Sequence, residues 1–300
     1  MRQTGQTISE DVRDRILERL GFASPPTTDL DGLRSLYAAW CARVPFDNVR
    51  KMIALRAGDG LPLPGVDGTD FFGHWLAHGA GGTCWPTSNA LFELVQACGF
   101  EARRVAGSMR DLGDVNHASV KVRIHGVDWL VDSSMLTNVP LRLDGQVFTS
   151  DDPVAAAEVE PVAGTHIMWA YSLANGSYLP CRLLVDPADV SLYRSGYEAS
   201  RRSSPFNRRV YARRNLPGEQ LVIAGPTRLS KTTRGIERRD LSPSDVRRAL
   251  TDEIGLSLAL VDEWVRCGGL EASFEPSSGV THAPVASLPP SHRRRARGGV

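Results

Sequence analysis

The sequence predicts an α+β protein in which a helical bundle comes first, a β-rich region second and a smaller mixed unit last. Apolar residues recur at helical spacing through the first hundred residues, and β-branched or alternating segments dominate residues 100 to 195. Three more strand-like segments and two helical segments follow. Because 300 residues is long for a single core, we expect two or three packed subdomains.

The helices predicted in the first part begin and end at recognisable residues. Ser9 caps the first helix and Gly21 stops it, while Pro45 ends the second. Pro86 suits the first turn of the fourth helix, because the N–H group that proline lacks would have no partner within the helix there. Residues 58–68 hold four Gly and two Pro and are therefore predicted to form a loop. The four helices are expected over residues 9–21, 29–44, 70–78 and 86–97.

The middle and last parts alternate between strands and turns. His125 and Gly126 separate two strand-like segments, which predicts a tight hairpin turn. Residues 200–204 are polar and basic, as in a hinge. Residues 275–300 are rich in Pro, Ser and Gly and hold a basic cluster at 293–297, so a disordered, solvated tail is predicted, with RNA or lipid contact as the alternative. Strands are expected over residues 103–108, 118–124, 128–133, 145–148, 166–173, 179–185, 210–213, 219–224 and 227–232, and helices over 242–249 and 256–266.

Composition and charge limit the possible functions. The net charge of +1 gives no reason to expect nucleic acid as a ligand. No apolar run reaches the length of about 18 residues that a membrane span needs, and the polar N-terminus is unlike a signal peptide. Five scattered cysteines fit reduced thiols better than a disulfide framework. We therefore expect a cytoplasmic protein with neither nucleic-acid nor membrane partners.

Cys84 is the first candidate for chemistry. It ends a glycine-rich turn, residues 79–84, that enters a predicted helix and lacks the Lys-Ser/Thr of a phosphate-binding loop. A helix N-terminus offers unpaired N–H groups and a positive dipole end, which favour a thiolate and can stabilise an oxyanion. The alternative is a small buried cysteine packed against Trp85. No C-x-x-C or H-E-x-x-H motif is present, so no metal site is expected.

His117 and Asp132 are the second and third candidates. A two-residue turn at residues 125–126 pairs Ile124 with Val127 and, if the ladder continues, His117 with Ser134. His117 and Asp132 then lie on one face of the hairpin as diagonal neighbours. An imidazole and a carboxylate in this relation suit a general base and the group that orients it. The inference depends on register, since a slip of one residue would place them on opposite faces.

These residues together resemble the arylamine N-acetyltransferase family from about residue 10 to about residue 268. That family is cytosolic and carries a Cys–His–Asp triad, here matched by Cys84, His117 and Asp132. The interval of 15 positions between the His and the Asp also agrees. The matching segments are Val-Pro-Phe-Asp-Asn-Val at residues 44–49, Gly-Gly-Thr-Cys at 81–84, Asn-His at 116–117, Trp-Leu-Val-Asp at 129–132 and Ser-Pro-Phe at 204–206.

The resemblance implies a fold and an activity. The fold is an N-terminal helical bundle (residues 1–99), a central antiparallel β-barrel (100–198) and an α/β lid (199–274), around a cysteine-protease-like core, followed by a basic tail (275–300). The activity is acyl transfer from acetyl-coenzyme A, as co-substrate, through an acyl-Cys84 intermediate to an arylamine or hydrazine, with no bound cofactor. Five residues are expected to contact substrate, with a place in the core as the alternative that the aromatic ones favour: Phe46, Phe71, Trp85, Ser133 and Ser134.

The chain also departs from the family pattern. Ala80 replaces the usual Arg before the glycine pair, Pro86 replaces a Glu, and residues 133–136 (Ser-Ser-Met-Leu) replace a Val-Gly-Phe-Gly loop that lies near the donor. One alternative is an amide synthase that releases a carrier-bound acyl chain. A thiol hydrolase with the same Cys, His, Asp order and a non-catalytic binding homologue are the others. The acceptor amine, the acyl donor and the oligomeric state stay open.

Overall fold

The first hundred residues form five helices and one short strand, as seen in a computed structural model that describes residues 8–58, 60–276 and 289–292. Ser9 caps the first helix by accepting a hydrogen bond from the backbone of Val12, and Asp29 caps the second by accepting one from Gly32. The elements are α1 (Glu10–Leu20), α2 (Leu30–Arg43), β1 (Phe46–Asp47), α3 (Val49–Ala57), α4 (Gly68–His78) and α5 (Cys84–Ala97).

The four helices predicted in this part are confirmed, whereas α3 was not predicted. Val49 and Met52 form its buried face, but the charged residue Lys51 is buried beside them. This mixture of buried apolar and charged residues weakens the helical pattern that sequence reasoning relies on.

The middle of the chain is an antiparallel sheet of eight strands in the order β5-β4-β3-β2-β9-β8-β7-β6. The edge strands β5 and β6 lie beside one another, so the sheet forms a nearly closed barrel. The predicted antiparallel barrel is therefore confirmed. Its strands are β2 (Glu101–Met109), β3 (His117–Ile124), β4 (Val127–Val131), β5 (Leu141–Leu143), β6 (Phe148–Thr149), β7 (Ala157–Val162), β8 (Thr165–Ser172) and β9 (Ser177–Val185).

The β3–β4 hairpin has the predicted turn but a shorter ladder. Ile124 pairs with Val127, and both turn residues, His125 and Gly126, have positive φ. The last pair is Val120 with Val131, so the predicted pairing of His117 with Ser134 is wrong. The chain leaves the strand at Asp132, because the Asp132 carboxylate accepts hydrogen bonds from two backbone N–H groups that follow it.

The last part of the chain contains a second antiparallel sheet, in the order β1-β10-β11-β12-β13, and several helices. The three predicted strands and both predicted helices are confirmed. Strand β13 was not predicted, because all six of its residues are exposed and show no apolar alternation. The elements are α6 (Val190–Ala199), β10 (Tyr211–Leu216), β11 (Glu219–Ala224), β12 (Thr227–Thr232), β13 (Gly235–Asp240), α7 (Pro243–Arg248), a π-helical segment (Ala249–Ile254), α8 (Leu258–Arg266) and α9 (Gly269–Phe274).

Strand β1 connects the helical bundle to this second sheet. Phe46 pairs with Arg213 of β10, and Val49 and Met52 of α3 pack in one apolar cluster with residues from the last part of the chain. The predicted division into four units stays a prediction. Of the predicted tail, residues 277–288 and 293–300, including the basic cluster, lie outside the described residues. Within the described ranges, no helix combines the length and the apolarity needed to cross a bilayer.

Candidate active site

Cys84 is the first residue of α5 and is partly exposed. The preceding turn is held by Asp47, whose carboxylate accepts a hydrogen bond from the Gly81 backbone at 2.7 Å. A Cβ atom on Gly81 would lie 1.8 Å from the backbone oxygen of Pro45, so only glycine fits there. The glycine-rich approach to Cys84 is therefore required by close packing against the segment at residues 45–47.

Asp47 is a buried carboxyl group. Burial raises the pKa of Asp47 to about 6, although its hydrogen bonds from the backbone of Val49 and Gly81 act in the opposite direction. Its position between the start of α3 and the Cys84 turn makes it a positioning residue. Sequence reasoning noted it only as part of the segment at residues 44–49.

His117 is the first residue of β3 and is buried. Its Nε2 atom lies 2.7 Å from Oδ2 of Asp132, and its side chain is within hydrogen-bonding reach of Cys84. Since Nε2 faces Asp132, the other ring nitrogen, Nδ1, is the one available to Cys84. The structure therefore brings together the three side chains that the sequence singled out, with the imidazole in the middle.

The two buried groups of this set shift each other's pKa. Burial lowers the pKa of His117, but the charge of Asp132 and hydrogen bonds with Asp132 and Cys84 raise it, and the net pKa lies well above 6.5. Burial raises the pKa of Asp132, but the charge of His117 and the hydrogen bonds from His117, Ser119 and the backbone of Met135 together outweigh burial, so its net pKa is lowered. Asp132 therefore stabilises the imidazolium form of His117.

Several donors fix the Asp132 carboxylate. Ser119 donates a hydrogen bond to Oδ2 at 2.5 Å, and the backbone N–H groups of Ser134 and Met135 donate to Oδ1 at 2.9 and 2.7 Å. The buried hydroxyl of Tyr37 accepts the N–H of Asp132 and donates to its carbonyl oxygen at 2.7 Å. With both its backbone and its side chain bonded, Asp132 can hold His117 in one orientation.

A chain of buried hydroxyl groups joins α5 to the hairpin. Ser88 donates to the carbonyl oxygen of Ala118 at 2.7 Å and lies 2.9 Å from the hydroxyl of Ser133. Ser133 in turn donates to Thr87 at 3.0 Å. Because α5 carries Cys84 and β3 carries His117, these bonds help to fix the distance between the thiol and the imidazole.

A cavity of about 670 Å³ leads to the thiol, and its volume is in the range of small-molecule sites. Cys84 and His117 line it, and so do three of the five residues predicted to contact substrate, Phe46, Trp85 and Ser134.

Phe71 and Ser133 do not line the cavity. Phe71 is fully buried and stacks on Trp40 with ring centroids 6.2 Å apart, so it belongs to the core of the helical bundle. The side chain of Ser133 turns toward α5, where Thr87 and Ser88 bond it. Other residues that sequence reasoning did not assign to a site also line the cavity, among them Lys51, Phe206, Tyr211 and Arg213.

The two departures next to Cys84 are both packed in apolar surroundings. Ala80 is fully buried in the cluster that contains Val49 and Met52, and Pro86 is buried against Gly82. Replacing a buried charged pair by packed apolar groups is often neutral or stabilising. The turn before Cys84 can therefore be ordered without the Arg and Glu that are usual in the family that the sequence resembles.

No group of three or more His, Cys, Asp or Glu side chains able to hold a metal ion is present among the residues that the structure describes. The candidate site is thus built from a thiol, an imidazole and a carboxylate.

Comparison with known proteins identifies relatives of the chain. A protein-family model described as N-acetyltransferase matches residues 29–263. Proansamycin X synthase from Amycolatopsis mediterranei (strain S699) is 28% identical over 121 residues, which are 39% of this chain and 45% of that protein. Arylamine N-acetyltransferase from Mycolicibacterium smegmatis is 26% identical over 141 residues, 43% of this chain and 49% of that protein. The chain thus spans about half the length of the curated relatives it matches.

Solved structures share the fold. Arylamine N-acetyltransferase from Mycobacterium marinum aligns with a TM-score of 0.75 over 87% of this chain and 100% of its own, at 17% identity. The enzyme from Nocardia farcinica aligns with a TM-score of 0.73 over 86% of this chain and 95% of its own, at 20% identity. At these identities the likeness establishes the fold alone, and it confirms the α+β prediction of bundle, barrel and lid.

Proposed function

The chain belongs to the arylamine N-acetyltransferase family, and on this premise we propose that it transfers an acyl group through Cys84. The donor is acetyl-coenzyme A, and the acceptor is the nitrogen of an arylamine or hydrazine. The observation that carries the proposal is that Cys84 and His117 line one cavity while His117 is hydrogen-bonded to the buried carboxylate of Asp132.

The first half-reaction forms the acyl-enzyme. His117 takes the proton of the Cys84 thiol, and the thiolate attacks the thioester carbonyl carbon of the donor. The carbonyl oxygen becomes an oxyanion, and the coenzyme A thiolate then leaves and receives the proton from His117. The raised pKa of His117 supports this role, because the Asp132 carboxylate stabilises the imidazolium that forms between the two steps.

The start of α5 offers donors for the oxyanion. The first helical hydrogen bond runs from the N–H of Thr87 to the carbonyl oxygen of Thr83. The N–H groups of Cys84 and Trp85 precede it, and Pro86 has no N–H group, so two backbone donors point toward the end of the helix beside the thiol. Such donors stabilise the tetrahedral intermediates of acyl transfer.

In the second half-reaction the amine nitrogen attacks the carbonyl carbon of acyl-Cys84. His117 accepts the proton that the nitrogen loses, and the Cys84 thiolate leaves, which restores the enzyme. Weakly basic amines such as arylamines are largely unprotonated at neutral pH, so the site needs no second base for them.

A turnover assay tests this function. The protein is incubated with acetyl-coenzyme A and a panel of arylamines and hydrazines, and the N-acetyl product and the free thiol of coenzyme A are both quantified. Cys84→Ala should abolish both signals, whereas Cys267→Ala, which removes another partly exposed thiol, should leave them unchanged. Thiol release without any amine would indicate hydrolysis, and no release with any amine would contradict the proposal.

Amide synthesis on a carrier-bound acyl chain is the second candidate. The similarity to Proansamycin X synthase supports it, as does the replacement of the family's glycine loop by residues 133–136, where Ser134 and Met135 line the cavity. Formation of an amide from an acyl-pantetheine donor, together with no reaction of acetyl-coenzyme A, would favour this function over the first.

We place this activity in the cytoplasm. All five cysteines are free, as expected for a protein that works in a reducing compartment.

A further inference from the structure

Lys51 is a buried cation in the wall of the cavity at Cys84. It is 2% exposed, although lysine is almost never fully buried unless it is paired. Its ammonium group makes no ion pair with a carboxylate of the described residues, and contacts Ser200 and Tyr197 instead. Burial lowers the pKa of Lys51 to about 8, so the side chain still carries its charge at neutral pH. A buried charge of this kind is costly to the folded state.

The position of Lys51 in α3 is also unfavourable for a cation. Lys51 is the third residue of that helix, whose first turn contains no acidic residue. The N-terminus of a helix is the positive end of its dipole, and it favours anions over cations. Burial and helix position therefore both oppose a lysine here. Residues that oppose the local structure in this way are typical of functional sites.

The C-terminal end of α6 holds the ammonium group of Lys51. The Nζ atom donates to the hydroxyl of Ser200, the C-cap residue of α6, at 2.8 Å and to its carbonyl oxygen at 3.4 Å. Nζ also lies 5.7 Å from the ring centroid of Tyr197. A helix C-terminus and an aromatic face both attract a cation. An ammonium group has three N–H donors, so Ser200 leaves at least one of them for the cavity.

The same part of α6 packs beside the nucleophile. Tyr197 lies in one apolar cluster with Trp85, and Cys84 packs against this cluster. A Cβ atom on Gly196 would lie 2.5 Å from the ring of Trp85, so the backbone of α6 touches the residue that follows Cys84. Tyr197 therefore joins Lys51 to the cluster at Cys84, and both Lys51 and Cys84 line the cavity.

The charges around Lys51 indicate which of them it serves. Burial has the largest effect on the pKa of Lys51, and among the neighbouring charges that of the Cys84 thiolate has the largest effect and raises it. Arg201 lowers this pKa and Glu198 raises it, and these two residues form an ion pair with each other at 3.1 Å. Their effects on Lys51 therefore oppose one another. Because electrostatic attraction is mutual, the ammonium group also stabilises negative charge at the sulfur.

We propose that Lys51 is the electrostatic partner of Cys84, and that its ammonium group stabilises the negative charge that the sulfur carries as a thiolate. The thiolate forms when His117 takes the proton of the thiol, and the charge then passes to the carbonyl oxygen of the donor. Preorganised charge in a cavity that excludes water is effective in such steps. Lys51 acts through its charge on Cys84 and itself neither exchanges a proton nor forms a bond. This inference rests on the proposed function, because it takes Cys84 to be the nucleophile.

Alkylation of Cys84 tests the proposal without requiring turnover. The rates of modification by iodoacetate and by iodoacetamide are measured at neutral pH by peptide mass spectrometry. Both reagents are of similar size and react with the sulfur, but only iodoacetate is negatively charged. Lys51→Gln removes the cation and keeps a side chain that can donate to Ser200. The ratio of the iodoacetate rate to the iodoacetamide rate should therefore fall about 5-fold or more in this variant.

Two further variants separate charge from structure. Lys51→Arg keeps the charge and should retain about half of the wild-type ratio or more. Lys231→Gln makes the same change as Lys51→Gln at a lysine that lies over the ring of Tyr171 and is not among the residues that line the cavity. Its ratio should stay within about 2-fold of the wild-type value.

A wild-type ratio in Lys51→Gln would overturn the inference, and so would equal falls in Lys51→Gln and Lys51→Arg. If Lys51→Gln does not fold, as judged by circular dichroism, Lys51→Met replaces it with the same expected fall, because it puts an apolar group of similar length in place of the ammonium. A fall in the ratio in a protein that transfers no acetyl group would refute only the proposed function. Acetyl transfer with an unchanged ratio in Lys51→Gln would refute only this inference.

Discussion

The Nε2 atom of His117 lies 2.7 Å from Oδ2 of Asp132, although the two residues are 15 positions apart along the chain. The hairpin turn at residues 125–126 brings them together, and the chain then leaves β4 at Asp132. This one contact sets both the orientation of the imidazole and its affinity for a proton. The chemistry proposed for Cys84 depends on it.

Replacing the carboxylate by an amide should therefore disable the site. We predict that Asp132→Asn lowers the rate of acyl transfer by about 10³-fold or more, since an amide neither fixes the imidazole tautomer nor stabilises its charge. Steady-state kinetics with acetyl-coenzyme A and an arylamine measure the effect. Ser119→Ala, which removes one donor to the same carboxylate and keeps its charge, should cost far less. Equal losses in the two variants would show that hydrogen bonding, not charge, is what matters.

The same pair should make stability depend on pH. The pKa of His117 is raised above 6.5 in the folded state, so its contribution to the free energy of unfolding is fully present below pH 6.5. The contribution is lost as the pH rises through the folded-state pKa. Asp132, whose pKa is lowered from 3.8, keeps its contribution above pH 3.8 and loses it only in stronger acid.

Urea unfolding of the wild-type protein and of His117→Gln, from about pH 6 to about pH 10, tests this linkage. The difference between the two free energies of unfolding should shrink as the pH rises. Lys51 and Glu93, with pKa values of about 8 and about 7, titrate in the same range but are common to both proteins and cancel in the difference. A difference that stays constant or grows would contradict the assigned direction for His117.

Tyr37 should support Asp132 from behind. Its hydroxyl accepts the N–H groups of Asp132 and Thr137, each at 3.1 Å, and donates to the Asp132 carbonyl oxygen. We predict that Tyr37→Phe lowers the free energy of unfolding by about 2 kcal/mol or more, because buried backbone groups lose their partner. Tyr178→Phe makes the same chemical change on a half-buried ring of β9 and should have an effect of about 0.5 kcal/mol or less. Similar losses of stability in the two variants would show that the hydrogen bonds of the Tyr37 hydroxyl do not support Asp132.

Asn48 should anchor the lid to the helical bundle. Its side-chain amide donates to the carbonyl oxygens of Phe206 and Arg209 at 2.9 and 2.8 Å and accepts the N–H of Tyr211 at 2.8 Å. We predict that Asn48→Ala costs about 3 kcal/mol of stability and accelerates proteolytic cleavage within residues 200–210.

The exposed residue Gln146 provides the control for this test. Gln146→Ala should leave stability within about 0.5 kcal/mol and the cleavage rate unchanged. An Asn48→Ala variant with wild-type stability would show that the lid is held by its apolar contacts.

Local sequence signals were enough to predict the turn of the β3–β4 hairpin and the glycine-rich turn before Cys84. The two-residue loop at His125 and Gly126 sets the register, and the register sets which side chains share a face. The glycines before Cys84 indicate a close turn into a helix, which the structure explains by the contact of Gly81 with Pro45. Both turns are indicated by residues that are adjacent in the sequence, whereas the contact of Gly81 with Pro45 is a tertiary one.

The positions of other side chains depend on tertiary contacts, which the sequence does not reveal. Phe71 packs in the bundle core because α4 turns its apolar face to Trp40, and no local pattern tells a core ring from a cavity ring. Lys51 and Arg213 look like surface cations in the sequence, yet both are buried and line the cavity. The position of Arg213 on β10 depends on the pairing of β1 with β10, which joins residues far apart in the chain.

The most direct test of the central claim is the identification of the acylated atom. The protein is exposed briefly to acetyl-coenzyme A without amine, denatured in acid, and analysed by intact and peptide mass spectrometry. We predict one acetyl group per chain, on Cys84, which disappears when an arylamine is added and is absent from Cys84→Ala. An acetyl group on any other residue, or a free Cys84 thiol in protein that still turns over, would contradict the account.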